Sequence, residues 1–438
     1  MRAAFYTLGC KVNSYETEKI QQMFAADGAL IVPFEEQADV YVVNTCTVTQ
    51  IAAKKSRQIL HRARRLSPDA LIIAAGCYAD ESPGALPDGV VDLYIGNADK
   101  MRIPEIVKER LKDRPLPVCD CPVRTQEQIQ DRTRAVLKIQ DGCRQFCTYC
   151  IIPFVRGPLK SRPVQECVEE TERLVRDGYH EIVLTGIHVS SYGRKGTFPD
   201  PEETGSLGDL ILKLSEIPGD FRIRLSSLEP GIVTRDFVTK ISQTDRLCMH
   251  FHLSLQSGSG KVLREMNRHY TPEEYLEAMH MLREVDPDTG FTTDLIVGFP
   301  GETEEDFRQS LDFIGKAAFN RVHVFKYSRR PGTGAARRTD QIPEEVKHER
   351  SRLAIAKARE TAERNAERYL GTVREVLLET GDAGRMEGYT REYLRTVVTD
   401  PRDTLSPNTL VRVRLNDIDR TQTASGEEVC FTGGVEIG

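Results

Sequence analysis

Three cysteines lie close together in the segment DGCRQFCTYC: Cys143, Cys147 and Cys150. A closed structural zinc site has four ligands, and so does a fully ligated cubane iron–sulfur cluster. Three thiolates can hold three irons of a cubane and leave the fourth iron open to another ligand. The spacing therefore predicts an iron–sulfur cluster with one open coordination position. A zinc site and three structural cysteines are the alternatives.

An open iron of this kind can bind S-adenosylmethionine (SAM) through its amino and carboxyl groups. One electron from the reduced cluster then breaks the C5′–S bond and yields a 5′-deoxyadenosyl radical, while the protein supplies geometry and excludes water. Phe146 and Tyr149 suit such a dry site, and Tyr149 can pack on adenine. The chain has 9 histidines and none beside the motif, which disfavours zinc.

Three more cysteines, Cys10, Cys46 and Cys77, each end an apolar run (AAFYTLGC, DVYVVNTC and ALIIAAGC). If the runs are parallel strands, their carboxyl ends meet at one edge of a sheet, where ligands bind. Gly9 and Gly76 would let the backbone approach the sulfurs closely. We therefore expect a second metal-binding triad. The alternative is that each cysteine is a small buried apolar residue.

The elements that must position these cysteines form two alternating series of strands and helices. The first runs to about residue 125 and predicts a parallel sheet with right-handed crossovers. The second, from 134 to 342, has six strand–helix units and predicts an open (β/α)6 partial barrel, with function at the carboxyl ends of its strands. Thr271 and Thr303 look like helix starts. The three-cysteine motif follows the first of these strands.

A long charged helix is expected at 343–370, followed by short alternating strands at 371–438. These strands predict a small antiparallel β-barrel of the kind that often binds oligonucleotides. The alternative is a domain that only supports the partial barrel. The predicted fold class is thus α/β, with a parallel sheet domain, a partial barrel and a C-terminal β-barrel.

Composition gives a mixed signal about partners. The net charge is −6 and the pI is about 6.0, which by itself argues against nucleic-acid binding. However, residues 47–68 and 321–338 each carry several Lys and Arg and no acid. Two such runs indicate an anionic partner, although each run alone is compatible with a solvated face.

The cysteine count indicates a reducing compartment, and the hydropathy argues against a membrane span. There are 11 cysteines, an odd number, in a chain without secretory features, so cytoplasmic thiolate ligands fit better than disulfides. No run of about 18 apolar residues occurs, and we expect no membrane span.

The chain resembles the radical SAM methylthiotransferases over essentially its whole length. The resemblance rests on TLGCKVNSYETE (7–18), VVNTCTVT (42–49), AAGCYA (74–79), KIQDGCRQFCTYCIIPFVRG (138–157), LTGIHVSSYG (184–193), RLSSLEP (224–230), HLSLQSGS (252–259), TTDLIVGFPGETEEDF (292–307) and a TRAM-like barrel at the carboxyl end.

The resemblance implies two 4Fe-4S clusters, the catalytic one on Cys143, Cys147 and Cys150 and an auxiliary one at the second triad. One SAM donates a methyl group to a sulfur at the auxiliary cluster, and a second SAM gives the radical that activates the substrate C–H bond. The SAM contacts that the resemblance suggests are Tyr149, Thr185, Gly186, Ser226, Glu229, Gln256 and Gly298. A polar cap on strand ends is the alternative for Ser226 and Gln256.

Within the family, TLGCKVNSYET is similar to the branch that modifies N6-threonylcarbamoyladenosine beside the tRNA anticodon. The threonylcarbamoyl group ends in a carboxylate, with which Lys160, Arg329 or Arg330 could pair. The implied partners are the anticodon stem–loop of tRNA and a reducing protein such as flavodoxin or ferredoxin. Alternative substrates are isopentenyladenosine in tRNA and a ribosomal protein. A non-enzymatic metal-containing RNA-binding protein is the alternative from another class.

Overall fold

The computed structural model contains two α/β units and a closed β-barrel. The structure describes residues 1–81, 89–112, 133–194, 204–382, 384–419 and 428–436. The predicted boundary at residue 125 lies outside these ranges, whereas the predicted α/β class and the C-terminal barrel are confirmed. No helix in the described part of the chain is both long and apolar enough to cross a membrane.

The first unit is a five-stranded, wholly parallel sheet in the order β2-β1-β3-β4-β5. Apolar side chains cover both faces, which explains why its central strands read as continuous apolar runs. Its elements are β1 (Arg2–Thr7), α1 (Lys11–Ala26), β2 (Leu30–Val32), β3 (Val40–Thr45), α2 (Gln50–Leu66), β4 (Leu71–Gly76), α3 (Cys77–Glu81), β5 (Leu93–Ile95) and α4 (Ile103–Arg110).

The second unit is the predicted partial barrel. Six parallel strands follow one another as β6-β8-β9 and β10-β11-β12, joined by isolated parallel bridges, and β7 is antiparallel at the edge. The strands are β6 (Ala135–Asp141), β7 (Lys160–Ser161), β8 (Glu181–Gly186), β9 (Arg222–Leu225), β10 (His250–His252), β11 (Gly290–Val297) and β12 (Arg321–Lys326).

Helices connect the strands of this partial barrel along the chain. They are α5 (Ile152–Arg156), α6 (Val164–Arg176), α7 (Leu207–Ser215), α8 (Arg235–Ile241), α9 (Gly260–Glu265), α10 (Pro272–Val285) and α11 (Glu304–Ala317). The predicted helix starts at Thr271 and Thr303 are confirmed, since each threonine forms a capping box with an acid three residues on. The capping fixes where α10 and α11 begin.

Helix α12 (Glu344–Ala366) leads to a closed barrel of five strands. They are β13 (Val373–Asp382), β14 (Arg385–Thr390), β15 (Arg395–Thr399), β16 (Leu410–Ile418) and β17 (Cys430–Val435). The pairings are antiparallel except β15–β17, which is parallel.

The β-barrel closes the amino-terminal end of the partial barrel. Arg222 and Arg224 donate to the backbone carbonyls of Tyr389 and Thr390 at 2.9 and 3.0 Å. Both arginines also bind the fully buried carboxylate of Glu181. This end of the partial barrel is therefore sealed, and the opposite end carries the cysteines.

Candidate metal and cofactor site

The amino-terminal triad lies at one edge of the first sheet, as the sequence predicts. Cys10 is the N-cap of α1, Cys46 follows β3 directly, and Cys77 begins α3 after β4. These strands are neighbours, β1 beside β3 and β3 beside β4. Burial raises the pKa of Cys46, and the nearby thiols of Cys77 and Cys10 raise it further. The three thiols therefore lie within electrostatic reach of one another.

Gly9 confirms how tightly this triad is built. Its φ is +100°, and a Cβ on it would stand 2.9 Å from the Cys46 sulfur. Only glycine combines that backbone conformation with so close an approach. The loop thus presses against Cys46.

Asn13 and Asn44 hold the strand ends together. The Asn13 amide donates to the carbonyls of Leu8 and Thr45 at 2.7 and 3.0 Å, next to Cys10 and Cys46. The Asn44 amide donates to the Asn13 carbonyl at 2.8 Å. These asparagines position the cysteine loops through the backbone.

The second triad follows β6 in a loop held from several sides. Gly142 has φ +75°, and a Cβ there would lie 1.8 Å from the Pro158 carbonyl oxygen. The backbone amide of Thr148 donates to the Met266 carbonyl at 3.0 Å. The side-chain amide of Asn267 donates to the Gln145 backbone carbonyl at 2.9 Å. The loop is thereby fixed against the turn after α9.

Burial, followed by the neighbouring thiols, raises the pKa of Cys143 to about 11 and that of Cys150 to about 12. Both thiols are therefore protonated at neutral pH, and a metal must displace their protons on binding. Arg268 donates to the Cys147 sulfur at 3.4 Å, and the backbone amide of Gln145 donates to the Cys143 sulfur at 3.5 Å. Such donors stabilise thiolate ligands.

The three thiols of each triad and the backbone that holds them fit an iron–sulfur cluster. In the part of the chain that the structure describes, no three His, Cys, Asp or Glu side chains converge on a single ion position. A cubane requires a wider arrangement, because each thiolate binds a different iron. Each triad offers three soft thiol groups, which would hold three irons of a cubane and leave the fourth without a cysteine ligand.

The two triads are joined by α5, which immediately follows Cys150 and Ile151. Ile151 and Val155 pack against Cys77. The Asn97 amide donates to the Val155 carbonyl at 2.9 Å and lies 3.7 Å from the Cys77 sulfur. One short helix thus adjoins the loop of Cys143, Cys147 and Cys150 at one end and contacts Cys77 of the amino-terminal triad at the other.

A buried charge cluster strengthens this junction. The Glu16 carboxylate of α1 binds Lys100 at 2.6 Å, Lys138 at 2.6 Å and Arg156 at 2.8 Å. Burial alone would raise the pKa of Glu16, but the three cations hold it well below its usual value. Arg156 also donates to the Asn13 side chain. Sequence reasoning missed this cluster, since its members lie far apart along the chain and no local motif connects them.

The residues proposed for SAM lie at consecutive strand ends. Thr185 and Gly186 end β8, Ser226 follows β9, and Gln256 and Gly298 follow β10 and β11. Ser226 Oγ is buried and has no hydrogen-bond partner among the described residues, so it is available to a ligand.

Glu229, another of the residues proposed for SAM, lies in a cluster of polar side chains. It binds Arg268 at 2.8 Å, lies 3.2 Å from His188, and accepts from Gln145 at 2.8 Å. Burial alone would raise the pKa of Glu229, but His188 and Arg268 hold it below its usual value. Arg268 Nη2 is buried without a partner among the described residues. Glu229 and Arg268 thus form a chain of polar contacts that ends at the Cys147 sulfur.

Three of the proposed SAM contacts have a clear packing role. Gly298 has φ +73°, and a Cβ on it would stand 2.3 Å from Lys347 of α12. A Cβ on Gly186 would lie 2.9 Å from Gln140. Tyr149 packs on the apolar cluster that contains Val262 and Phe299.

The three cations proposed for the substrate are in different environments. Lys160 is exposed in an open groove of about 740 Å³ between α1 and the β6–β7 edge. Arg329 is exposed and donates to the Ala336 carbonyl at 2.9 Å. Arg330 is buried and bound to Glu81 at 2.5 Å, so its charge is already neutralised within the protein.

Lys11 is a cation that sequence reasoning missed. It follows Cys10 directly, and solvent reaches its side chain although protein atoms surround it on most sides. It interacts electrostatically with Glu181, Tyr393 and Arg224, which places it facing the interior of the partial barrel. Its position next to Cys10, one of the predicted metal ligands, is the signal that could have identified it.

Comparisons with known proteins show which families the chain resembles. Residues 137–314 match the Radical SAM superfamily, and residues 2–96 match a family described as Uncharacterized protein family UPF0004. Threonylcarbamoyladenosine tRNA methylthiotransferase MtaB of Bacillus subtilis is 41% identical over 434 residues, which is 94% of this chain and 93% of that protein. A tRNA-2-methylthio-N(6)-dimethylallyladenosine synthase of Acetivibrio thermocellus is 34% identical, over 94% of this chain and 88% of that protein.

A solved structure shares the fold. The radical S-adenosylmethionine methyltransferase TsrM of Kitasatospora setae superposes with a TM-score of 0.58 at 14% identity, over 76% of this chain and 75% of that chain.

Proposed function

The chain belongs to the radical SAM tRNA methylthiotransferases, and from this premise we propose that it adds a 2-methylthio group to N6-threonylcarbamoyladenosine beside the tRNA anticodon. Membership of the family implies a 4Fe-4S cluster and SAM. The second cluster, the residues of each site and the nucleoside are part of the proposal.

The observation that carries the proposal is the meeting of two thiol triads across α5. Methylthio transfer needs one centre for the radical and another for the sulfur, near enough to share a substrate. Cys77 packs against Val155, which lies five residues beyond Cys150. This contact supports a division of labour between the triads.

When bound, a reduced cluster at the catalytic triad supplies the electron that cleaves SAM, and a cluster at the auxiliary triad supplies the place for the sulfur. Cys143, Cys147 and Cys150 would hold the first, and Cys10, Cys46 and Cys77 the second. Arg268 would neutralise charge at Cys147, to which it donates. Apolar side chains pack around Cys77 in one triad and around Tyr149 in the loop of the other.

The SAM pocket is proposed at the strand ends between the two triads. Ser226 offers a hydroxyl that no described residue pairs with, and Glu229 and Arg268 offer an acceptor and a donor beside Cys147. Tyr149 follows Thr148 in the loop and would pack on the adenine. Thr185 and Gln256 would cap the pocket through their polar atoms.

For the threonylcarbamoyl carboxylate we propose Lys11 as the main partner. Its side chain is reached by solvent and follows Cys10 directly, although burial lowers the pKa of its ammonium group. Among the described residues it forms no close ion pair, so it can pair with a carboxylate. Lys160 and Arg329 remain candidates farther out, whereas Arg330 is dropped because Glu81 occupies it.

A low-potential reducing protein such as flavodoxin or ferredoxin is the proposed electron source, and the tRNA substrate would place the reaction in the cytoplasm. The chain's relatives also include an enzyme named for dimethylallyladenosine, which makes that nucleoside the competing substrate.

The test is anaerobic turnover with SAM and reductant on two otherwise identical anticodon stem–loops. One carries N6-threonylcarbamoyladenosine and the other isopentenyladenosine. We expect the 2-methylthio product from the first RNA only, identified by mass spectrometry of the nucleosides. Product from the isopentenyl RNA alone would overturn the substrate assignment, and no methylthio product from either RNA would overturn the proposal.

A further inference from the structure

The two acid-free basic runs of the sequence meet in the fold. The Gln50 side chain at the start of α2 donates to the Arg329 carbonyl at 2.8 Å, and its backbone amide lies 3.5 Å from Ser328 Oγ. Lys54 is one turn along α2 from Gln50 and so lies on the same helix face. Segments 278 and 279 residues apart thus form one surface.

Some cations of these two runs form ion pairs within the protein, whereas others are exposed and form none with a described residue. Arg321, Arg330 and Arg338 bind Glu428, Glu81 and Glu265, respectively, and have structural roles. Five exposed cations form no ion pair with a described residue: Lys54, Lys55, Arg65, Arg329 and Arg337. Arg65 lies in the last turn of α2, away from the Gln50 contact. Arg329 and Arg337 donate only to backbone carbonyls.

Exposed aromatic rings lie beside the catalytic loop. Phe146 and Phe154 are 51% and 64% exposed, and their ring centroids are 5.9 Å apart in an edge-to-face arrangement. Phe146 adopts φ +47°, a left-handed conformation that costs free energy in a non-glycine residue. The Asn267 amide binds the carbonyls of Gln145 and Phe146 at 2.9 and 3.2 Å. The outward position of Phe146 is therefore held by the structure.

The loop after β12 connects the cations to the rings. The Ala335 amide donates to the Thr148 carbonyl at 2.7 Å, and Ile151 Cδ1 lies 3.7 Å from where a Cβ on Gly332 would be. Ile51, on the exposed face of α2, is 69% exposed. We call this surface the basic rim: Lys54, Lys55, Arg329, Arg337, Ile51, Phe146 and Phe154.

We propose that the basic rim binds the unpaired loop of the RNA substrate, with its cations on phosphates and its exposed rings stacked on bases that flank the reacting adenosine. The inference rests on the proposed function, because it takes a tRNA as the substrate. Exposed cations interleaved with aromatic rings are the usual platform for single-stranded RNA.

An acidic electron-donor protein is the other partner that a basic surface could take. An electron needs to enter only at the catalytic triad, however, whereas Lys54 and Lys55 lie on the helix that follows Cys46. The basic rim extends past both triads. An RNA strand bound along it could place one of its bases between the two triads. The charge and the position together favour RNA.

The experiment measures binding of a fluorescein-labelled anticodon stem–loop to the anaerobically reconstituted holoenzyme, by anisotropy across a series of salt concentrations. For Lys54→Ala/Lys55→Ala we expect weaker binding and a salt slope smaller by about 0.7 for each RNA phosphate that is no longer neutralised. For Phe154→Ala we expect about 5- to 100-fold weaker binding with the salt slope unchanged. Iron content and thermal midpoint show whether each variant is folded.

Matched controls come from exposed positions away from the rim. Lys213→Ala/Arg308→Ala removes two exposed cations, and Ile355→Ala removes an exposed apolar side chain on α12. Neither should change the affinity for RNA. A rim variant that folds, loads iron and binds RNA as the wild type does would overturn the inference. Loss of flavodoxin-supported turnover with RNA affinity unchanged would assign the rim to the electron donor instead.

Failure of this inference and failure of the proposed function give different results. If the wild type forms the 2-methylthio product while rim variants keep their RNA affinity, the function stands and the rim inference is wrong. If rim variants lose RNA affinity while the wild type makes no methylthio product, the rim inference stands and the proposed reaction is wrong.

Discussion

Arg156, six residues beyond Cys150, is bound to Glu16 of α1 at 2.8 Å, so the loop of the catalytic triad is tied to the helix that begins at Cys10. Both side chains are buried. The distance between the two proposed clusters is therefore set by an ion pair and by the packing of α5 on Cys77. Methylthio transfer requires such a fixed relationship, since both centres must act on one carbon atom.

Glu16→Gln should lower the stability of the folded chain by about 3–5 kcal/mol, because the buried Lys100 and Arg156 and the partly buried Lys138 lose their shared carboxylate. Thermal unfolding of the anaerobic protein measures the effect. The control is Glu166→Gln, which breaks an exposed ion pair with Arg162 and should change stability by less than about 1 kcal/mol. Equal effects of the two substitutions would contradict a structural role for the Glu16 cluster.

Stability should fall in acid, and Glu181 should account for part of the loss. Burial alone would raise the pKa of Glu181, but Arg224 and Arg222 hold it well below the ordinary 4.5. A depressed pKa contributes stability above about pH 4.5, and this contribution is lost as the pH falls further. Glu181→Gln should therefore be less stable than the wild type at pH 7, with the gap narrowing below pH 4.5. A gap that is constant with pH would count against this account.

Lys11→Gln should reduce turnover of the threonylcarbamoyl RNA by at least about tenfold and spare iron binding, because one charge-assisted bond to the carboxylate is lost. Lys11→Arg keeps the charge and should retain more activity. The readout is KM and kcat on the modified stem–loop. If Lys11→Gln and Lys11→Arg behave alike, Lys11 does not pair with the carboxylate.

Gly142→Ala should prevent loading of the catalytic triad, since the added Cβ would collide with the Pro158 carbonyl and the φ of +75° disfavours alanine. Gly315→Ala is the control, because its Cβ would make only ordinary contacts inside helix α11. Iron content after anaerobic reconstitution distinguishes the two variants. Normal loading of Gly142→Ala would show that the loop can adapt.

The strand-end cysteines could be predicted from the sequence because each closes an apolar run, and runs of this kind form parallel strands. The starts of α10 and α11 were predictable for a different reason: the capping signal of each helix lies within four consecutive residues. The Glu16–Arg156 pair was not predictable, since its members are 140 residues apart and no pattern connects them. Arg330 shows the converse: its basic run was visible, but its partner Glu81 lies 249 residues away.

Metal content most directly tests the claim that two thiol triads each hold a cubane. After anaerobic reconstitution, the wild type should bind about eight irons per chain, and Cys143→Ala/Cys147→Ala/Cys150→Ala or Cys10→Ala/Cys46→Ala/Cys77→Ala should bind about four. The second triple variant should still cleave SAM and make no methylthio product. A wild type that saturates at about four irons, or an amino-terminal triple variant with unchanged iron content, would contradict the account.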